Sequence, residues 1–146
     1  MHSLNWQKKF LGLAGYIAEN WSKDPSTRVG AVVVGHEPNL YVGGYNGLPP
    51  GIEDTDERLN DREWKYEHVV HAEMNAILNA TFEPVYLYST HIPCVRCAVH
   101  ILAKRTIRHI ICPEPTGDYM SRWRASVELA TARFTEAGRS VTLLKL

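Results

Sequence analysis

The chain has 146 residues, of which 45% are hydrophobic and 22% charged, and its 16 basic and 16 acidic side chains give a formal net charge of zero. This composition is that of one globular domain over residues 1–146, and it excludes a disordered, collagenous or disulfide-dense polypeptide. It leaves no basic surplus for a long nucleic acid, and no apolar run is long enough to cross a membrane. Three cysteines and a start unlike a signal peptide predict a soluble, cytoplasmic protein that uses its thiols for metal or redox chemistry.

The first third of the chain predicts a helix followed by a β-hairpin. Apolar residues recur at three- and four-residue steps along one helical face, with Ser3 available as the cap. That face consists of Trp6, Phe10, Leu13, Ile17 and Trp21. The largely apolar segments 28–34 and 40–45 flank a break that contains glycine and proline, so they predict two strands. Residues 46–51 hold two prolines and two glycines and predict a shaped loop.

Residues 53–67 form an acidic insert with seven acidic and three basic side chains. A polar segment of this kind usually predicts a solvated excursion from the fold. Its alternative is a lid over a functional site, because functional residues are concentrated on such segments. The sequence leaves both interpretations open.

The rest of the chain alternates helices with strands. Helices are predicted over 71–80, 95–103 and 121–137, the last of which is ended by Gly138. Strands are predicted over 84–90, 107–112 and 141–144. This alternation after a hairpin predicts a mixed sheet of roughly five strands with helices on both faces, which is a three-layer α/β/α fold.

Two short motifs carry the chemistry: a His-Ala-Glu segment at 71–73 and, 21 residues after Glu73, the Cys-Val-Arg-Cys segment 94–97 behind Pro93. Each motif opens a predicted helix, whose N-terminus favours ionised thiolates. One imidazole and two thiolates give zinc three ligands and leave a fourth position for water, whose pKa falls from about 15.7 to about 7. Glu73 is suited to take that proton and to return it to a ring nitrogen and a leaving amine.

The motif order matches a zinc-deaminase signature, but two alternatives stay open. Cys112 would complete a closed structural site of three cysteines and one histidine, although its position at the end of a predicted buried strand favours a core residue. A zinc-stabilised assembly protein without turnover is the second alternative. The other six histidines are expected to pack or to face solvent, and His100, three residues beyond Cys97, is the first of them to check.

Four segments in order over nearly the whole chain resemble the deoxycytidylate (dCMP) deaminases of the cytidine deaminase superfamily. The segments are SKDPSTRVGA at 22–31, GYNGLP at 44–49, HAEMNAI at 71–77 and PCVRCA at 93–98. The zinc motif is shared across the superfamily, whereas the first two segments are specific to the deoxycytidylate branch. The resemblance implies a cytidine deaminase-like fold and the hydrolysis of dCMP to dUMP and ammonia, which supplies thymidylate synthesis.

The resemblance also implies roles for individual residues. Glu73 would shuttle protons, Asn46 would hydrogen-bond the sugar, and Ala72 and Cys94 would contact the base through backbone groups. The ligands of one catalytic Zn²⁺ would be His71, Cys94 and Cys97. The other substrate-side candidates are Ser22, Lys23 and Arg28, in the family's phosphate-side segment, together with Pro93 and Tyr119.

The resemblance further implies assembly and regulation. Family members are usually homo-oligomers, often hexamers, and many are activated by dCTP and inhibited by dTTP. The effector candidates in this chain are Gly44, Tyr45, Asn46, Gly47 and Pro49. A triphosphate effector would bring Mg²⁺ with it. The insert lacks cysteine, so no second, structural zinc is expected.

Arg122 and Arg124 fall in the predicted first turn of the last helix. A cation there typically costs a few tenths of a kcal/mol to about 1 kcal/mol, and local violations of this kind often mark function. We hypothesise that one of them binds an anion, either a substrate or effector phosphate or a carboxylate of a neighbouring subunit.

Several substrates other than dCMP are compatible with the same motifs. They include a 5-substituted dCMP, a triphosphate and another cytosine or guanine compound. A deaminase that edits tRNA or single-stranded DNA is a more distant alternative, and it requires a basic groove and a flipped-base pocket.

Overall fold

A computed structural model describes residues 1–146 as six helices and one five-stranded sheet. The helices are α1 (Leu4–Trp21), α2 (Asp56–Asn60), α3 (Arg62–His68), α4 (Ala72–Asn79), α5 (Val95–Ala103) and α6 (Gly117–Glu136). The strands are β1 (Gly30–Val34), β2 (Tyr41–Tyr45), β3 (Tyr86–Ser89), β4 (His109–Pro113) and β5 (Ser140–Leu144). No helix combines the length and the apolar character that a membrane span requires.

The sheet has the order β2-β1-β3-β4-β5 and is mixed, as predicted. Strand β1 runs antiparallel to both β2 and β3, whereas β3, β4 and β5 are parallel. The hairpin register pairs Gly30 with Tyr45 and Val34 with Tyr41. Parallel neighbours require a crossover connection, and here α5 connects β3 to β4 while α6 connects β4 to β5.

Helices cover the sheet on both faces, which confirms the three-layer prediction. On one face α1 packs Phe10, Leu11 and Ala14 against β1, β3 and β4. On the other face α4, α5 and α6 form a second cluster with alternate residues of the same strands. Every residue of β1 is buried, which explains why its sequence is a continuous apolar run rather than an alternating one.

The prediction for α1 is confirmed in its cap, and of the two roles expected for Trp6 and Trp21, core or subunit interface, the structure excludes the core. Ser3 Oγ accepts a hydrogen bond from the Trp6 amide at 3.4 Å. Trp6 and Trp21 are 39% and 50% exposed. The core contacts of α1 come from Phe10, Leu11, Ala14 and Ala18 in the middle of the helix.

Helix α6 begins at Gly117, four residues before the predicted start. Thr116 is its N-cap, with Oγ1 accepting from the Tyr119 amide at 3.2 Å, and Asp118 supplies the favourable negative charge in the first turn. The helix C-terminus follows the prediction, since Gly138 has a φ of 71°.

This earlier start corrects the argument about the two arginines of α6. Arg122 and Arg124 lie beyond the first turn, so the predicted clash with the helix dipole is wrong. The Arg122 guanidinium lies over the Trp123 ring, 5.4 Å from its centroid, and Arg124 pairs with Glu128 one turn later at 3.8 Å. Both arginines are exposed, and neither lines the cavities described below.

The acidic insert folds into the two short helices α2 and α3. Thr55 and Asp61 cap them, each accepting a hydrogen bond from an amide three residues later. Most side chains of the insert are exposed, as a solvated excursion would be, but Leu59 and Lys65 are buried. The insert therefore packs on the body of the fold through both helices.

Candidate functional site

The two sequence motifs meet at the N-termini of neighbouring helices. His71 is the N-cap of α4 and makes no side-chain capping bond, while Cys94 is the N-cap of α5 and Cys97 lies in its first turn. His71 Nδ1 is 3.1 Å from Cys97 Sγ and 3.6 Å from Cys94 Sγ. The three donor atoms all lie within 4.8 Å of one another. The fold thus brings together the three residues that the sequence predicted as metal ligands.

A glycine of β2 sets the position of α4. A Cβ on Gly44 would lie 2.5 Å from the carbonyl oxygen of Ala72 and 2.5 Å from the amide nitrogen of Ala76. Only glycine allows the backbones of strand and helix to approach this closely. Gly44, predicted as an effector residue, therefore has a packing role in seating the helix that carries His71 and Glu73.

The charges of the cluster fit a divalent cation. A hydrogen bond with Cys97 and the nearby His71 ring lower the pKa of Cys94, while the bond with Cys94 and burial raise the pKa of Cys97. Two thiolates whose sulfur atoms lie within 4.8 Å of each other repel, so the protein groups alone do not keep both cysteines ionised. Zinc holds tetrahedral sulfur and nitrogen donors about 3.5 to 4 Å apart and accepts both thiolates. The residues present therefore fit a zinc ion held by one histidine and two cysteines.

Glu73 lies beside this cluster without belonging to it. It occupies the first turn of α4 and is 4% exposed. Its Oε1 accepts a hydrogen bond from Ser89 Oγ at 3.1 Å. Burial raises the pKa of the Glu73 carboxyl, so the group exchanges a proton nearer neutral pH than an exposed glutamate does.

Cys112 lies outside the metal cluster. It is fully buried in β4, and its Sγ donates to the His91 carbonyl oxygen at 3.5 Å. Burial raises the pKa of this thiol, which keeps it neutral. The alternative of a closed site completed by Cys112 is therefore wrong in this geometry, and Cys112 packs in the core as the sequence favoured.

A cavity opens from the cluster and from Glu73 toward the segment 24–29; this is called the main cavity below. Its volume, including open solvent at the mouth, is about 770 Å³. The lining residues that bear on function are Asp24, Ser26, Thr27, Asn46, Lys65, Tyr66, His71, Ala72, Glu73, His91, Cys94, Tyr119 and Trp123. It contains reactive groups at one end and hydrogen-bonding groups along its walls.

Asn46 lies in the wall of the main cavity, and its amide also holds the neighbouring loop. Its Oδ1 accepts from Ser22 Oγ at 2.7 Å and from the Val29 amide at 2.8 Å. Its Nδ2 donates to the Thr27 carbonyl oxygen at 2.8 Å. Ser22 is thus buried behind Asn46, and one Nδ2 hydrogen of Asn46 remains available to a ligand.

A second cavity lies on the other side of the same wall and shares four residues with the main one. The shared residues are Asp24, Asn46, Lys65 and Val69. Tyr45 and Gly47, predicted as effector residues, line this second cavity together with Leu48. Pro49 and Gly44 do not line it.

Two residues predicted for the phosphate side lie away from the main cavity. Lys23 lines the second cavity and forms an exposed ion pair with Asp54 at 2.7 Å. Arg28 is exposed and donates to the carbonyl oxygen of Glu19 at 3.1 Å. Neither side chain faces the reactive end of the main cavity.

Of the three other substrate candidates near the zinc motif, two line the main cavity and one does not. Ala72 and Tyr119 line the main cavity, whereas Pro93 is buried and does not. The Tyr119 hydroxyl donates to the Ile92 carbonyl oxygen at 3.4 Å, and its ring stacks on His91 with centroids 4.7 Å apart. Tyr119 therefore closes one side of the cavity with an aromatic surface.

His91 and Lys65 also line the main cavity. The sequence did not predict a function for either residue. His91 was expected to pack or to face solvent, and Lys65 belonged to a polar insert with no local motif. His91 lies two residues after the end of β3 and two residues before Pro93, a position that could have drawn attention to it. His100, the histidine singled out from the sequence, is exposed and contacts the Arg96 carbonyl oxygen at 2.6 Å, away from the cluster.

Comparisons with known proteins identify relatives along the whole chain. The family model described as "Cytidine and deoxycytidylate deaminase zinc-binding region" matches residues 4–113. An uncharacterized deaminase in the luxG 3′ region of Aliivibrio fischeri is 41% identical, over 97% of this chain and 95% of the relative. Deoxycytidylate deaminase of Mus musculus is 33% identical, over 97% of this chain and 80% of the mouse protein.

A solved structure shares the fold. The apo form of dCMP deaminase from the cyanophage S-TIM5 superposes with a TM-score of 0.72 and covers 98% of this chain and 100% of the phage chain. The sequence identity between the two is 19%, so this likeness concerns architecture. It confirms the predicted cytidine deaminase-like arrangement of a mixed sheet between helical layers.

Proposed function

The chain belongs to the cytidine and deoxycytidylate deaminase family, and from this membership we propose that it converts dCMP and water to dUMP and ammonia. The observation that carries the proposal is the juxtaposition, in one cavity, of a His-Cys-Cys cluster and a buried carboxylate that is not part of it. A carboxylate beside a metal site, free of ligation, is the arrangement that hydrolytic deamination requires.

His71, Cys94 and Cys97 would hold the zinc, which when bound makes water a nucleophile at neutral pH. Glu73 takes one proton from the water and delivers it to ring N3, and it then carries the second proton, from the new hydroxyl group on C4, to the 4-amino group, so that C4 keeps the oxygen and ammonia leaves. Ser89 holds Oε1 of Glu73 and leaves Oε2 for this transfer. The raised pKa of the buried carboxyl suits a group that must both accept and release a proton.

The remaining substrate contacts are proposed from the family resemblance, and Asn46, Ala72, Cys94 and Tyr119 line the main cavity as these contacts require. The free Nδ2 hydrogen of Asn46 donates to the sugar, and backbone groups of Ala72 and Cys94 contact the base. Tyr119 bounds the pocket, Pro93 shapes the turn before Cys94, and Ser22 acts by fixing Asn46. Lys23 and Arg28 stay predictions for the phosphate side, which their present contacts do not support.

We also propose that the chain assembles with copies of itself, with a hexamer as the expected form. Large aromatic side chains are exposed on α1 and β2, and we propose that they contribute to the contact between subunits. These residues are Trp6, Tyr16, Trp21, Tyr41 and Tyr45. The cytoplasm is the proposed location, because all three cysteines are free thiols, as in a reducing compartment.

Regulation by dCTP and dTTP is proposed for the second cavity. Tyr45, Asn46 and Gly47 of the Gly-Tyr-Asn-Gly segment line it, and its wall is shared with the main cavity. A triphosphate bound there would bring Mg²⁺ as its counterion. Asn46 lines both cavities, so a ligand bound in the second cavity would act on the main cavity through this residue.

A panel of four substrates tests the proposed function. Deaminase kcat/KM is measured for dCMP, deoxycytidine, dCTP and 5-methyl-dCMP. We expect dCMP to exceed deoxycytidine by about 10- to 100-fold, the value of one or two charge-assisted hydrogen bonds to a phosphate. Higher kcat/KM for deoxycytidine than for dCMP would contradict the proposal.

The same panel separates the other substrates. Higher kcat/KM for 5-methyl-dCMP or dCTP than for dCMP identifies a 5-substituted nucleotide or a triphosphate as the substrate. Salt-dependent affinity for a single-stranded oligonucleotide would instead indicate an editing enzyme. The main cavity, with Lys65 as its single lysine or arginine, does not have the basic groove that such an enzyme needs.

A further inference from the structure

The wall of the main cavity contains a buried ion pair between the acidic insert and the segment after α1. Lys65 of α3 is 5% exposed and Asp24 is 7% exposed. Lys65 Nζ lies 3.1 Å from Asp24 Oδ1 and 3.1 Å from Ser26 Oγ. Lysine is almost never buried to this degree unless it is paired, so this contact is a specific feature of the site.

Hydrogen bonds on the Asp24 side and helix capping on the Lys65 side fix the ion pair in place. Asp24 Oδ1 also accepts from the Ser26 and Thr27 amides at 2.8 and 3.0 Å. Burial opposes the ionisation of Asp24, but these amides and the Lys65 ammonium together keep its pKa below the usual value. Asp24 therefore stays ionised and fixes the ammonium in one place. Asp61, as the N-cap of α3, fixes the helix on which Lys65 is carried.

Lys65 has a hydrogen-bond donor left for a ligand. An ammonium carries three N–H donors, and Asp24 and Ser26 take two of them. Lys65 is the one lysine or arginine among the residues that line the main cavity. Its third donor is thus the strongest cationic hydrogen bond that this cavity offers to an anion.

Lys65 lies in a part of the main cavity wall to which the reactive groups do not belong. It belongs to the wall shared with the second cavity, together with Asn46, whereas His71, Glu73 and Cys94 line the main cavity alone. A pyrimidine nucleotide whose base reaches Glu73 must extend its sugar and 5′-phosphate away from that residue. A phosphate that reaches the wall shared with the second cavity meets the Lys65 ammonium there.

We propose that Lys65 determines the specificity for a 5′-phosphate by donating its third N–H to a phosphate oxygen, with Asp24 and Ser26 as positioning residues for the ammonium. This inference rests on the proposed function, because it concerns how the same cavity recognises a nucleotide rather than a nucleoside. The proposal makes the acidic insert part of the substrate site. This agrees with the alternative interpretation of the insert as a lid over a functional site.

Removing the ammonium has two consequences for a phosphate. The charge-assisted hydrogen bond is lost, and Asp24 is left as an unneutralised carboxylate in the same wall. Asp24 would then repel the phosphate directly. Deoxycytidine has no phosphate, so neither effect applies to it.

Two variants and one matched control test the proposal. Lys65→Met keeps the length of the side chain but leaves Asp24 buried and unpaired, which destabilises folded proteins. The double variant Lys65→Met with Asp24→Asn removes both charges, and an asparagine Oδ1 still accepts from the Ser26 and Thr27 amides. The control is Lys104→Met, since Lys104 is also paired with a carboxylate, Glu83 at 3.1 Å, but lies outside both cavities.

The measurement is the ratio of kcat/KM for dCMP to kcat/KM for deoxycytidine, in protein whose zinc content and thermal unfolding have been checked. We expect the double variant to lower this ratio by about 10- to 100-fold, which corresponds to one charge-assisted hydrogen bond, and Lys65→Met to lower it at least as far. Lys104→Met is expected to leave the ratio unchanged. A structural role alone would lower both kcat/KM values together and leave their ratio the same.

The outcomes separate this inference from the proposed function. An unaltered chain that prefers dCMP, with a double variant that keeps the full preference, overturns the assignment of Lys65 and leaves dCMP as the substrate. An unaltered chain that does not prefer dCMP over deoxycytidine contradicts the proposed function and the inference with it. A ratio that falls in the double variant but not in Lys104→Met supports both.

Discussion

Replacing Glu73 with glutamine is expected to lower kcat for dCMP by about 10²- to 10⁴-fold, the usual contribution of a general acid–base group. Glutamine has nearly the same shape and can still accept a hydrogen bond from Ser89, but it cannot take a proton from water or return it to the base. Because Glu73 is beside the His71-Cys94-Cys97 cluster and not among its donors, the bound zinc should stay at the level of the unaltered chain. Steady-state kinetics and metal analysis on one preparation measure both quantities.

The matched control for this variant is Glu83→Gln. Glu83 is exposed, pairs with Lys104 and lies in neither cavity, so the same change of charge there should leave kcat unchanged. A Glu73→Gln variant with unaltered kcat would contradict the role of Glu73 as the proton carrier. Absence of dCMP turnover in the unaltered, zinc-loaded chain would instead support the alternative of a zinc-stabilised protein without turnover.

Replacing Cys97 with serine is expected to remove most of the bound zinc and, with it, the deaminase activity. A serine hydroxyl is not ionised at neutral pH and is a poor zinc ligand, so one of three protein ligands is lost. Loss of an outer-shell partner alone typically costs 10- to 100-fold in metal affinity or activity, and loss of a direct ligand should therefore exceed about 100-fold. Zinc affinity is measured by competition with a chelator of known affinity.

Cys112→Ser provides the matched control, because the same chemical change is made at the third cysteine of the chain. The Cys112 thiol is buried and bonds to the His91 carbonyl oxygen, and a serine hydroxyl can make the same bond. We expect this variant to bind zinc as tightly as the unaltered chain. Loss of zinc from Cys112→Ser but not from Cys97→Ser would mean that the donor set is not the one assigned here.

The elements that the sequence predicted best are those whose apolar pattern and end signals agree. Helix α5 has the predicted bounds of Val95–Ala103, since Cys94 starts it and its buried residues recur at helical spacing. The proximity of His71, Cys94 and Cys97 was predictable for the same reason, because each residue is placed at a helix start by a short local motif. Local signals suffice when a function depends on residues that are close in sequence to a helix terminus.

The start of α6 and the role of the arginines were not predictable from the same signals. Thr116 and Asp118 form a good helix start, but Gly117 between them is a residue of low helix propensity. The capping bond of Thr116 and the helix that follows outweigh the cost of one glycine at the first position. An error of four residues in one helix start was enough to create an apparent clash with the helix dipole at Arg122 and Arg124.

The position of Lys65 depends on tertiary contacts that no local pattern carries. In sequence it is one of three cations in an acidic insert, and a solvated surface is the ordinary expectation for such a segment. Its burial follows from Asp24, which is 41 residues away and is fixed by its own turn. Asn46 is a similar case, since its hydrogen bonds to Ser22, Thr27 and Val29 link segments that meet only in the folded chain.

The dependence of turnover on a metal ion held by His71, Cys94 and Cys97 is tested most directly by adding zinc back to chelator-treated protein. Bound zinc and the rate of dCMP deamination are measured on the same samples. We expect no turnover without zinc, and a rate that rises in proportion to bound zinc until each chain holds one ion. Full turnover by metal-free protein, or zinc bound at one ion per chain with no recovery of turnover, would contradict this mechanism.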